Sequence, residues 1–316
     1  YNKLLSAQDK DTIPAAEIQD EALWFMKLTW NMALQSKGDP FCMKEFFNLC
    51  FQLLSLCAAD VENYSRHQNC LLMSCAACLQ LARQTKDQNT LQSLLEEVLI
   101  HVEEYRQAEK SNQNTVWAQE ASSSADMFLL IYEFEALTKL KDQRSELVLE
   151  RAFSLPILDP KLFHTLAALA VDPPANNRRL SMRALKVAIR QHLQMDSPDF
   201  IRCSADVRNL IELSMSGNED EALGYFKETF EMIERRAKEK YPEIEILWLM
   251  TKSWNYGLHL YNCGKFQESE QWCGMSMRFL KYLSSVKDDY EEQMMSLYQE
   301  IMNCLDKQSV LTSVSK

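Results

Sequence analysis

Apolar residues recur along almost the whole chain at spacings of three and four, the period of one buried face of an α-helix. That pattern predicts about thirteen helices, over roughly 15–36, 41–58, 64–84, 88–108, 115–141, 144–154, 160–171, 175–195, 198–216, 218–239, 242–263, 265–285 and 288–305. Between them fall residues that stop helices: Gly38-Asp39-Pro40, Leu155-Pro156, Asp159-Pro160, Asp172-Pro173-Pro174, Ser197-Pro198, Gly217-Asn218 and Tyr241-Pro242. Lys110 to Asn114 reads as a polar turn. No connection is long enough to be a linker. Residues 1–308 are therefore expected to form one continuous helical array, followed by a polar, disordered tail over 309–316. The chain opens on Tyr1 in a polar stretch and reads as a fragment of a longer protein, with no targeting signal in view.

Helices of this length joined by short turns pack as antiparallel pairs. Stacked pairs make a solenoid, in which each pair buries its face against its neighbours. Such an array should carry an internal repeat. Residues 23–34, Leu-Trp-Phe-Met-Lys-Leu-Thr-Trp-Asn-Met-Ala-Leu, return at 247–258 as Leu-Trp-Leu-Met-Thr-Lys-Ser-Trp-Asn-Tyr-Gly-Leu. Six of twelve positions agree, including both tryptophans and the asparagine. Each copy leads to a glycine turn, Gly38-Asp39 and Gly264-Lys265. The segments resemble the first helix of a tetratricopeptide repeat, W-x2-L-G-x2-Y. Trp254 and Tyr261 take its first and last positions, with Gly257-Leu258 inverting the usual order. After Gly217, Ala222-Leu-Gly-Tyr-Phe226 matches the A-x3-F of the second helix. Residues 90–200 fit that consensus poorly and read either as degenerate repeats or as HEAT-like pairs. The expected fold is all-α, a tetratricopeptide-like solenoid.

Composition agrees. Six glycines in 316 residues, against a usual ~7%, starve the turns that sheets and barrels need. No run of about 18 apolar residues is present, so no membrane span is expected. The net charge of −11 argues against a duplex-DNA surface, which needs clustered cations to replace counterions. The local exception is Arg179, Arg183, Lys186 and Arg190, which share one helix face. They read as a solvated face or as a dock for an acidic partner segment. The ten cysteines lie mostly within apolar helical patterns, the small-hydrophobe use of cysteine in a reducing compartment. Cys75-Ala-Ala-Cys78 lacks the second pair that a zinc site of the usual spacing wants, so no metal and no cofactor is expected. No nucleophile elbow, phosphate loop, dinucleotide fingerprint or HExxH motif occurs. His67, His101, His164, His192 and His259 are far apart along the chain. A catalytic site is not expected.

What remains is binding. Leu247, Met250, Trp254, Gly257/Leu258 and Tyr261 make one helical stripe, and Lys252, Asn255, His259 and Asn262 make the next. If Trp254 packs, the hydrogen-bonding stripe faces the concave groove of the array. If the register is anchored on Gly257 and Gly264, then Trp254, Leu258 and Tyr261 face it. The recurrence of the pair at Trp30-Asn31 also suits a packing motif used twice.

The stretch from Trp248 to Phe266, the segment Ser269 to Phe279 and the upstream Ala22 to Leu34 are similar to the meiotic ZMM-group tetratricopeptide-repeat proteins, the sporulation- and testis-expressed crossover and synapsis scaffolds. The resemblance covers about 50 residues closely. It implies a nuclear, non-catalytic scaffold on meiotic chromosomes. Such a scaffold joins an XPF-like non-cutting crossover subunit to synaptonemal complex components. It also implies that the aromatic–asparagine pair, here Trp254-Asn255, docks a synapsis component. The competing readings are a general helical-repeat regulatory or adaptor subunit, and an all-α enzyme of the α/α-array kind.

Overall fold

The structure, a computed structural model, describes residues 1–9, 14–57, 60–112, 118–217, 219–237 and 240–314. The fold is all-α, with helices packed in adjacent pairs and no strand among the described residues. Each of the thirteen expected helices is present, and an additional short one, α1 (Asn2–Asp9), precedes them.

The chain divides into two compact units rather than a single array. The first contains α1, α2 (Ala15–Gln35), α3 (Pro40–Leu54), α4 (Val61–Gln84), α5 (Gln88–Asn112), α6 (Ala118–Lys139) and α7 (Arg144–Phe153). The division falls within α8 (Pro160–Val171) and α9 (Arg178–Gln194). The second unit holds α10 (Phe200–Met215), α11 (Glu219–Met232) with a π-helical turn over Ile233–Ala237, α12 (Glu243–Asn262), α13 (Phe266–Leu280) and α14 (Lys287–Val314). The end of α14 replaces most of the disordered tail expected from residue 309. Its range contains no glycine or proline, so nothing in the chain ends the helix there.

Helix starts follow their caps. Asp39 accepts from the backbone N–H groups of Phe41 and Cys42 at 3.0 and 3.1 Å, with Pro40 in the first turn. Asp60 and Asp199 do the same for Asn63 and Arg202. Cysteines fill the core as small apolar side chains. Cys50 and Cys70 pack with Met26, Phe47 and Leu53 between α2, α3 and α4. Cys75 and Cys78 pack with Leu79, Leu95 and Val98 between α4, α5 and α6. All ten thiols are free.

The internal repeat is a repeat of structure as well. In the first copy Thr29 Oγ1 donates to the carbonyls of Phe25 and Met26, both at 3.0 Å. In the second, Ser253 Oγ donates to Leu249 and Met250 at 2.8 and 3.1 Å. Cys50 Sγ reaches the Met26 carbonyl from α3 at 3.7 Å, and Ser276 Oγ reaches the Met250 carbonyl from α13 at 2.8 Å. The same carbonyl thus receives a donor from the second helix in both copies.

Candidate functional site

The α12–α13 pair is closely approached. An added Cβ at Gly257 would lie 2.4 Å from Cys273 Sγ and 3.0 Å from its backbone nitrogen, so only glycine lets the helices meet there. Ser269 Oγ donates to the Gly257 carbonyl at 2.8 Å. Gly264, at φ +75°, closes α12. Lys265 N–H donates back to Leu260 at 3.0 Å and Gly264 N–H to Tyr261 at 2.9 Å. At the other end Glu243 Oε1 accepts from the backbone N–H and hydroxyl of both Ser284 and Ser285, at 2.7–3.1 Å. Those four donors, the backbone ones foremost, hold the Glu243 carboxyl down to about 2.

This geometry packs the anchors of both registers, Trp254 and Gly257, together. Met250, Trp254, Gly257 and Leu260 are buried, Trp254 to 9% exposure. Asn255, His259 and Asn262 are exposed and Lys252 is half-buried. Leu258 and Tyr261 are half-buried, Tyr261 with its ring 5.5 Å from Phe266 and its hydroxyl 3.8 Å from Cys304 Sγ of α14. The side chains of Lys252, Asn255 and Asn262 have no hydrogen-bond partner among the described residues. His259 Nε2 lies 3.9 Å from Cys263 Sγ. The exposed row of α12 therefore offers two amides, an imidazole and an ammonium to solvent. In the first copy Trp30 is half-buried against Phe47, ring centres 5.6 Å apart, and Asn31 is exposed. Its surroundings differ: Trp24, Phe25, Leu28 and Met32 leave α2 apolar on its outer side.

The basic row of α9 does not form a bare positive face. The boundary between the units falls inside it. In the first unit Arg179 pairs with Glu146 at 3.0 Å. In the second, Lys186 pairs with Glu221 at 3.4 Å and sits 5.0 Å above the Tyr225 ring. Arg183 is half-buried and engaged as well. Arg190 lines a cavity of about 380 Å³ with Lys186, Leu193, Val207, Leu210 and Tyr225.

Two histidine clusters escaped the sequence reading. Asp206, 1% exposed, accepts from His164 Nδ1 at 2.6 Å and lies 3.5 Å from His192 Nε2. These residues are too far apart in the chain for spacing to have joined them. His101 faces Glu97 and Glu104, four residues before it and three after, a helical spacing that was visible. Its neighbour His101, and then Lys44 and Asn48, bring the Glu97 carboxyl down to about 2 against the cost of burial. Burial pushes the neighbouring Cys78 thiol up to about 12.

No known protein family's sequence profile matches the chain. A solved circular tandem repeat protein with novel repeat topology and enhanced subunit contact surfaces is similar over 99% of this chain and 76% of its own. Its identity is 16% and its TM-score 0.29.

Proposed function

We propose that the chain is a non-catalytic protein-interaction scaffold that docks a partner peptide or helix on the exposed row of α12. The observation that carries this reading is the split within one helix. Trp254 is committed to packing, while Asn255, His259 and Asn262 on the same helix are exposed, the amides with no partner among the described residues. Side-chain amides on a rigid helix are suited to pair with the backbone or polar groups of an extended segment. The sequence resemblance supports the setting: meiotic chromosomes in the nucleus, promotion of crossover and synapsis, an XPF-like non-cutting subunit and a synaptonemal complex component as partners.

The test combines thermal melting with calorimetric titration of those two partners. Trp254→Ala removes a packed ring, so stability falls by about 3–5 kcal/mol and binding weakens with it. Asn255→Gln keeps the amide but displaces it by one methylene. The melt is unchanged and binding falls by about 1–3 kcal/mol, the cost of leaving a buried polar partner unpaired. Asn31→Gln, in the first copy, affects binding less. If Asn255→Gln melts well below the parent, the asparagine is structural. If the folded parent binds neither partner, the meiotic setting is wrong and the general adaptor reading takes its place.

A further inference from the structure

We propose that Cys78, Glu97 and His101 form a zinc-type metal site that clamps α4 to α5. Glu97 and His101 lie four residues apart on one face of α5, and Cys78 reaches them from α4. One donor atom from each lies within 4.8 Å of the other two. Sulfur, imidazole nitrogen and carboxylate oxygen are the donor types that zinc takes, and three protein ligands leave one position for water.

Two further observations point to a ligand rather than to a packed polar cluster. His101, 9% exposed, has a buried Nε2 with no hydrogen-bond partner. Its Nδ1 is engaged by Glu104 Oε2 at 3.1 Å. A carboxylate on Nδ1 fixes the tautomer that leaves the Nε2 lone pair free, the outer-sphere arrangement common to metal-bound histidines. The Nε2 to Glu97 Oε1 distance is 3.7 Å. That is too long for a hydrogen bond. It is close to the edge of a tetrahedron whose ligands sit ~2.0 Å from a central zinc, about 3.3 Å.

Lys44 is the natural objection, since its ammonium lies 3.0 Å from Glu97 Oε2. It also lies 3.3 Å from Oε1, which accepts from Asn48 Nδ2 at 3.1 Å, so a metal on Oε1 replaces the longer Lys44 contact while Lys44 keeps Oε2. A thiolate and a carboxylate neutralise the dication, and the lysine then adjoins a site of no net charge. Binding releases the Cys78 thiol proton to solvent, while Glu97 enters as carboxylate and His101 as neutral imidazole. The neighbouring Cys75 is turned away, its Sγ 3.7 Å from the Val98 carbonyl. An open cleft of about 500 Å³, lined by Lys44, Leu81, Thr90 and Leu94, borders the cluster at Glu97.

The experiment titrates the reduced, chelator-stripped full chain with Zn²⁺ and with Co²⁺. One metal per chain is expected, with the cobalt form showing a thiolate charge-transfer band and tetrahedral ligand-field bands. His101→Gln weakens binding at least tenfold and Cys78→Ser removes the charge-transfer band. Glu104→Gln keeps the band but weakens affinity ~10–100-fold. Cys263→Ser, at an exposed thiol, changes nothing. If Cys78→Ser does not fold, His101→Gln carries the test alone. Sub-stoichiometric binding, a cobalt spectrum without thiolate, or equal affinity in parent and His101→Gln overturns the proposal.

Discussion

At the scale of single residues, the strongest local commitment is Glu243 with its four donors from Ser284 and Ser285. They favour the charged carboxylate, so the folded pKa, about 2, lies below the ordinary 4.5. The sign follows from linkage. The contribution is present in full above 4.5 and is lost as pH falls through 2. Glu243→Gln is therefore expected to lower the melting temperature at neutral pH and to melt like the parent near pH 2. Melting curves of both across that range decide it, and a constant gap would mean the clasp does not depend on charge. None of this was visible beforehand. Glu243 looks like an ordinary acidic first-turn residue, and the two serines belong to a turn whose approach only the folded pair creates. The Trp254 register was undecidable for a related reason. Tryptophan and glycine both mark close-packed faces, and in the fold both pack: Gly257 lies against the Cys273 thiol and Trp254 is buried as well.

At the scale of helices, the chain was largely legible. Proline or glycine marks eight of the thirteen boundaries between the described helices, and apolar periodicity runs between them. The exceptions are instructive. The α1 helix is eight residues of mostly polar sequence, too short for a period to show. The end of α14 is polar enough to read as a tail although every residue in it tolerates a helix. Hidden too was the ionic tie in α6. Glu135, fully buried, receives Arg83 Nε from α4 at 2.9 Å and Lys139 Nζ from its own helix at 2.9 Å, and Lys139 also meets Asp172 at 3.0 Å. A glutamate inside a largely apolar stretch gave no sign of two partners, one of them distant in sequence. Removing Glu135 leaves the buried Lys139 ammonium with Asp172 as its remaining carboxylate partner, while Arg83 is more than half exposed. Glu135→Ala is expected to cost about 3–5 kcal/mol, read from chemical denaturation at neutral pH. A loss below 1 kcal/mol would show that water reaches the site.

At the scale of the molecule, the two copies of the helix pair are what the sequence displayed and the fold explains. The repeated tryptophan, asparagine and methionine were legible because they recur as letters. The carbonyl of Met26 or Met250 that takes a donor from the next helix was not, since the donor is a cysteine in one copy and a serine in the other. Inside, then, the pairs are interchangeable parts. Outside they differ: Leu28, Asn31 and Gln35 in α2 stand where Lys252, Asn255 and His259 stand in α12. Leu28 and Gln35 are exposed, so the outer chemistry can be transplanted without disturbing what lies beneath. The double substitution Leu28→Lys with Gln35→His is expected to leave the melting temperature within a degree or two, as exposed changes do. It should give α2 a share of the partner affinity proposed for α12, measured by titration in an Asn255→Gln background. A helix pair of this kind is a socket with an exchangeable faceplate.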